Sequence, residues 1–577
     1  MKQSTDILGE YVDYLSDESR RLGCADAIAF AESEDDIADV LRQAAEEGTP
    51  VTVQSGLTGI TGGATPDGGL ILNVSRMSRV LGMRYDPAAG RFFVRVQPGF
   101  TLKALHEALV HGGDFDAEDW TAESLEALAL YRQGPPHVFP PDLTEAGACL
   151  AGVVANNGSG ARTFRYGPAR PHVSALRVVL PVGEVLALRR GQQYAHGREF
   201  RLISENMRGE AHLRRKRATG SPLAPRARLV GEALPPVVCG CEANERTNEA
   251  ALEPEAGRVF SGRLPTYTMP AVKNAAGLYA ADNMDLIELF IGSEGVLGVF
   301  SELELALTPL PPVAWGMTAF LPSEEAALAL VERVRADRRQ GSVAAIEFFS
   351  AEALDLLRGQ RTGNPAFAAL PELKPHWHTA VYVELHGDTE AAVEQALADV
   401  CEALEAVGGN AADSWLATSW REIETFKGVR HAVPEAVNLL IGERKRQYPA
   451  LTKLGTDLAV PDNCLRAVMR MYHDDLRAAG LDYVIFGHIG NNHLHVNILP
   501  RTPEEYQLGK TLYLEWAHRV VAMDGTVSAE HGIGKLKTAM LEIMYGPAAI
   551  EQMRAVKRVF DPQMLLNRGT LFSFNQT

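Results

Sequence analysis

The chain has 577 residues, enough for roughly two to four domains at about 100–200 residues each. With 46% hydrophobic and 22% charged residues it has the make-up of a soluble globular enzyme, not of a disordered chain. Its 73 acidic against 56 basic residues give a net charge of −17, which argues against nucleic acid as a partner, and its six scattered cysteines form neither an extracellular disulfide pattern nor an iron–sulfur run.

Taken in chain order, the first element is a helix from Ser33, a plausible N-cap with acids in the first turn, to about Glu47. Thr49-Pro50 ends it, and a strand is expected over 51–53. The loop that follows carries Ser55, Gly56, Leu57, Thr58, Gly59, Gly62 and Gly63 before a second strand at 69–73. So many glycines leave backbone N–H groups free to cradle phosphate oxygens, although the spacing and the strand after it exclude a Rossmann fingerprint. A second Gly/Asn-rich stretch starts at Asp142 and continues through Gly152, Asn156, Asn157, Ser159, Gly160, Tyr166 and Gly167. Its small residues permit close backbone approach to a flat ligand. Strands over 175–181 and 185–188 should pair as a hairpin.

Between about Gly197 and Gly262 the character changes, and Arg208, Arg214, Arg215, Lys216, Arg217, Arg226 and Arg228 form a basic island in an acidic protein. It is expected to be a solvated insertion, with a docking surface for anionic lipid or an electron-accepting partner as the alternative. The N-terminal stretch lacks the apolar core of a secretory signal, and no apolar run reaches the ~18–20 residues that span a bilayer. A cytoplasmic protein is expected, at most peripheral on the inner face of a membrane. Residues 289–300 should form a strand, a glycine turn carrying Glu294 and Gly298, and another strand. Pro309, Pro311 and Pro312 then mark a domain boundary.

Beyond the prolines the expected order is a strand at 316–321, a helix over 323–338, strands at 344–349 and 379–385, and a helix over 389–407. This suggests an antiparallel sheet covered by helices on one face. The apolar strand 483–486 runs into Gly487-His488-Ile489-Gly490-Asn491-Asn492-His493-Leu494-His495-Val496-Asn497. Gly490-Asn491-Asn492 tolerates the positive φ of a hairpin turn, and His493, His495 and Asn497 alternate onto one face of the returning strand. His488 can approach that face across the hairpin, and Glu530-His531 follows downstream. Imidazoles gathered with a carboxylate suit zinc or a similar divalent ion with a position left for a substrate oxygen. A helix at 550–560 and Asp561-Pro562 lead to Leu566-Asn567.

Together these segments resemble the flavin-linked D-2-hydroxyacid dehydrogenases of the vanillyl-alcohol-oxidase-type FAD superfamily, from about residue 25 to the C-terminus apart from the insertion. The loop at 54–64 resembles the family's pyrophosphate loop, and 152–167 its flavin-facing segment. Ile291-Gly-Ser-Glu-Gly-Val-Leu-Gly298 is similar to its Ile-Gly-Ser-Glu-Gly-Thr-Leu-Gly, and Phe560-Asp-Pro with Leu566-Asn567 to its terminus. The resemblance implies an α+β chain. A two-subdomain FAD-binding domain would span 1–312, a substrate cap 313–525, and a segment returning to the FAD domain 526–577.

It also implies roles at the site. His488, His495 and Glu530 would be the metal ligands (zinc, with manganese or iron as alternatives), and His531 the base. Asn497, Arg430 and Lys453 would contact the substrate. The family pattern Gly-His-x-Gly-Asp-Gly-Asn-Leu-His-x-Asn is altered here: Asn491 replaces Asp, Asn492 replaces Gly and His493 replaces Asn, which makes His493 a further substrate contact or an extra ligand. The 54–64 loop holds no histidine, so FAD is expected to be non-covalent. The implied reaction is oxidation of a small D-lactate-like 2-hydroxyacid. Its electrons would pass to a quinone, an electron-transfer flavoprotein, a cytochrome or an iron–sulfur subunit. An ether-lipid-forming flavin transferase (alkyl-dihydroxyacetone-phosphate synthase), a flavin subunit of a glycolate oxidase-like complex and a metal-dependent hydrolase are the alternatives. Oligomeric state is left open.

Overall fold

The computed structural model describes residues 2–5, 7–205, 257–336, 341–367 and 370–573. The basic island of Arg208 to Arg228 lies outside the described residues. The first sheet has the order Lys2–Ser4, Ala27–Phe30, Leu70–Asn73, Val51–Gln54, and its last three strands are parallel. Helix Glu34–Glu47 makes the crossover: Ser33 Oγ accepts the Asp36 N–H at its start, as a short polar residue outside the first turn should. Its apolar stripe, Ile37, Val40, Leu41 and Ala44, packs between Leu72 and Val74 of this sheet and Val179, Val185 and Val299 of the next.

That second sheet is antiparallel, in the order Val80–Asp86, Arg91–Val96, Val299–Ala306, Val173–Val179, Val185–Arg189. The expected first strand of the 289–300 segment is instead a one-turn helix, Ile287–Phe290. Its Ile287, Leu289 and Phe290 are all buried, and a short apolar run surrounded on every side has no periodicity to separate helix from strand.

The third sheet has eight strands. Its path runs Trp415–Ala417, Val313–Leu321, Thr379–Gly387, Val343–Phe349, Tyr483–His488, His493–Ile498, Leu454–Gly455, with Leu458–Ala459 also pairing with His493–Ile498. It is covered on both faces, not on one. Met317, Ala319, Leu321, Val381, Val383 and Leu385 join the large core with helices Glu324–Ala336, Glu390–Ala406 and Leu465–Ala479. The alternate residues Phe320, Ala380, Tyr382 and Phe349 pack against helices Ala351–Gly363 and Trp420–Lys445. Two-sided cover explains why Thr379–Gly387 is buried along nearly its whole length, Glu384 and His386 included.

The chain end packs back on the first two sheets. Val51 N donates to Leu565 O, Asn567 Oδ1 accepts from Val53 N (2.8 Å) and Asn567 Nδ2 donates to Glu294 O (2.9 Å). Among the described residues no helix is long and apolar enough to cross a membrane.

Candidate active site

A cleft enclosing about 380 Å³ runs along the seam of the first two sheets. Its walls are the 53–64 loop, the 143–159 stretch, residues 294–300 and Asn567, and it reaches His495, Glu530 and His531. Ser159 Oγ and Gln54 Oε1 are buried on this wall without a partner among the described residues, which leaves hydrogen-bonding capacity for a bound ligand. A Cβ on Gly160 would fall 1.7 Å from Asp142 O, so only glycine lets the two loops close on each other there. The cleft is largely apolar and lined by the glycine-rich loop with its Ser55, Thr58 and Thr61, which fits a planar group joined to phosphates.

The hairpin forms as its sequence requires, with His488 opposite His493 and Phe486 opposite His495. Residues 489–492 close it, and Asn492 takes the left-handed φ of 52°. Its Oδ1 accepts from the buried Arg335, which also donates to Ile489 O, while its Nδ2 donates to Asp462 (2.7 Å). The Asn492 departure thus has a structural use: Asn tolerates this φ and its amide ties the turn to the neighbouring helix.

His488, His493, His495 and Glu530 bring one ligand atom each to within 4.8 Å of all the others. Each imidazole is backed on its outer edge. His488 Nδ1 donates to Glu347 Oε1 (2.6 Å), His495 Nδ1 to Thr456 O (3.2 Å), and His493 Nε2 lies 2.9 Å from Asp457 Oδ1. The hydrogen bonds fix the tautomers of His488 and His495, and each of the three rings turns one nitrogen toward the shared space. Burial, then the neighbouring imidazoles, hold His495 well below the ordinary range, and burial with Lys273 pushes His493 down to about 4. Burial opposes charge on His488, but Glu347 and Glu530 outweigh it and raise its pKa. Glu530, its side chain 12% exposed, is held well below the usual carboxylate range by Lys273 and His488 against the effect of burial. Nitrogen lone pairs beside an ionised carboxylate could hold a divalent ion.

Asp457, 1% exposed, ties the cluster to His531. Its Oδ2 accepts from Lys537 Nζ (2.6 Å), Ser528 Oγ (2.7 Å) and His531 N (3.0 Å). Its Oδ1 accepts from Glu530 N (3.1 Å) and faces His493 Nε2 and, at 3.4 Å, His531 Nδ1. Burial alone would raise its pKa, but His531, Lys537 and His493 keep it well below the carboxylate range. His531 therefore points its Nδ1 at Asp457 and stacks on His495 (centroids 5.4 Å apart) at the wall of the cleft.

Two domain models match this architecture: "FAD binding domain" over residues 25–124 and "FAD linked oxidases, C-terminal domain" over residues 310–571. The chain thus carries the FAD-binding domain and the C-terminal domain of FAD-linked oxidases. It is 26% identical over 556 residues to a D-2-hydroxyglutarate dehydrogenase of Xanthomonas citri, covering 95% of this chain and 89% of that protein. A probable mitochondrial D-lactate dehydrogenase of Danio rerio is 25% identical, over 96% of this chain and 85% of the relative. The solved structure of p-cresol methylhydroxylase with substrate bound shares the fold, with a TM-score of 0.62 at 15% identity over 100% of this chain and 95% of that one.

Of the residues expected to hold the FAD, Ser55, Leu57, Thr58, Gly59, Gly63, Gly152, Asn156, Ser159, Glu294, Gly298 and Asn567 line the cleft. The remainder do not line it. Gly56 packs toward Cys149, Gly62 sits at a turn with φ 75°, and Asp142 pairs at 3.7 Å with Arg162. Gly160 stacks on Asp142 as above, Gly167 ends a short helix, and the Tyr166 hydroxyl is 2.8 Å from His386 Nδ1 in the third sheet.

Arg430, on helix Trp420–Lys445, lies 3.5 Å from Glu347 and borders a small apolar cavity with Phe320, Phe349, Trp415 and Phe426. Asn497 shares the strand of His493 and His495 and is buried. Lys453 stands apart from the cluster: it is half-buried, and burial and Arg20 lower its pKa. The sequence reading missed four partners that the fold supplies: Glu347, Asp457, Lys537 and Lys273. Lys273 Nζ, 2% exposed at its side chain, sits 2.6 Å from Glu530 Oε2 and 3.5 Å from Gly160 O. It ties the Gly160 loop to the histidine cluster, reaching Glu530 across 257 positions of sequence, which no local pattern could signal.

Proposed function

We propose that the protein oxidises a D-2-hydroxyacid to the 2-oxoacid and passes the electrons to an external, non-nicotinamide acceptor. The observation that carries this reading is the junction of His495, Glu530 and His531 with the end of the FAD cleft. Bound non-covalently there, FAD supplies the two-electron acceptor for the hydride leaving the α-carbon. A divalent ion (zinc, manganese or iron) held by His488, His495 and Glu530 would supply Lewis acidity that lowers the pKa of the substrate hydroxyl.

The chain's own residues do the rest. His531, oriented by Asp457 through Nδ1, takes the hydroxyl proton at Nε2 as the C–H bond breaks and the carbonyl forms. Arg430 would offer a forked guanidinium to the substrate carboxylate, and Asn497 and His493, on the strand of His495, would be further substrate contacts. The buried walls exclude water from the transfer. The acceptor would be a quinone, an electron-transfer flavoprotein, a cytochrome or an iron–sulfur subunit, reached in the cytoplasm or at the inner face of a membrane.

The test is an anaerobic absorbance titration with D- and L-lactate, glycolate, D-2-hydroxyglutarate and longer acids, with and without chelator. Bleaching of the flavin band by a D-acid, abolished by chelation, is expected. A yellow protein that no hydroxyacid reduces would overturn the reading.

A further inference from the structure

We propose that His493 is a fourth protein ligand of the metal centre. The chain then builds a site of three imidazoles and one carboxylate in place of the two-imidazole, one-carboxylate set that the family pattern implies. The inference rests on the metal reading above and deepens it.

Three observations converge. His493 Nδ1 faces the same carboxylate oxygen as His488 Nε2, at 3.5 and 3.2 Å from Glu530 Oε2. The four ligand atoms lie within 4.8 Å of one another, and an ion with bonds of about 2.0–2.2 Å spans roughly 4.4 Å between opposite ligands, so a small contraction closes the set. Behind His493, Nε2 lies 2.9 Å from the buried Asp457 carboxylate without the alignment of a hydrogen bond, whereas His488 Nδ1 is hydrogen-bonded to Glu347; a carboxylate on the outer edge is the usual setting of a metal-ligating imidazole.

Lys273 Nζ lies 3.3 Å from His493 Nδ1 and 2.6 Å from Glu530. The ammonium marks the point where positive charge is favoured, and a divalent ion competes with it for the Nδ1 lone pair while Lys273 retains Glu530. Four protein ligands fill a tetrahedral ion completely. A centre that also takes substrate must therefore favour an ion that accepts six ligands, such as manganese(II), iron(II) or cobalt(II). Two positions then remain, the number that the hydroxyl and one carboxylate oxygen of a 2-hydroxyacid occupy.

The experiment is proton NMR of the full-length FAD-loaded protein with cobalt(II) in the centre, in H2O and D2O. Each histidine ligand gives one strongly shifted, exchangeable imidazole N–H, and here all three outer nitrogens face an acceptor that slows exchange. Three such signals are expected in the wild type and two in His493→Asn, whose cobalt affinity by chelator competition should fall by at least about 10-fold. Retained flavin content checks that the variant folds, and the wild-type count stands without it. Cobalt uptake with only two signals in the wild type would overturn this inference while leaving the metal reading intact. No cobalt uptake at all would overturn both.

Discussion

Asp457→Asn is the most informative single change, because one buried carboxylate serves both the cluster and His531. Each oxygen faces three donors: Lys537 Nζ, Ser528 Oγ and His531 N on Oδ2, and Glu530 N, His493 Nε2 and His531 Nδ1 on Oδ1. An amide keeps the shape, yet whichever way it flips, its NH2 meets three donors and one set goes unpaired. Removing one partner from a buried ion pair costs about 3–5 kcal/mol. If His531 escapes by rotating off Asp457, that energy appears as lost transition-state stabilisation, about 10²- to 10⁴-fold in rate at 1.36 kcal/mol per decade. The assay is stopped-flow flavin reduction under anaerobic conditions at saturating acid, on protein whose flavin content matches the wild type. A reduction rate within about 3-fold of wild type would refute the assignment of Asp457 as the residue that positions the base.

Three further predictions concern other parts of the molecule. Glu294 is buried against Ile533 N and Gly534 N (both 2.7 Å), and burial pushes its pKa up to about 7 from an ordinary 4.5. Its raised pKa favours the folded state fully below about pH 4.5, and that contribution, about 3 kcal/mol at most, is lost as pH rises through about 7. Glu294→Gln should flatten the fall in unfolding free energy between pH 5 and about 8, measured by denaturant titration, and parallel curves would contradict this. Gly160→Ala drives a Cβ into Asp142 O and should weaken FAD binding by about 10- to 100-fold in a fluorescence titration, at about 1–3 kcal/mol for overpacking. His531→Ala should keep FAD and metal but lose reduction by substrate, and fast retained reduction would remove His531 from the mechanism.

The sequence by itself determined the local chemistry. A Ser-capped helix, glycine loops between short apolar strands, and histidines alternating with apolar residues are set by φ/ψ preference and by a side-chain period of two. They could be read at 33–47, 54–64 and 483–497 before any fold was known, and the structure builds each of them. The order of the motifs likewise carried the FAD-linked family. Where environment overrides local pattern, the sequence was silent or misleading. Ile287–Phe290 is a helical turn because burial on all sides erases periodicity, and the third sheet is covered on both faces although Glu384 and His386 give its strand Thr379–Gly387 a polar side. The partners that tune the site were out of reach for the same reason. Glu347 lies 141 positions from His488, and Lys273 lies 257 from Glu530. A carboxylate or an ammonium is indistinguishable from a surface charge until packing removes the water around it and places it against an imidazole. Tertiary structure decided those contacts because electrostatics acts through distance and dielectric, and neither is written along the chain.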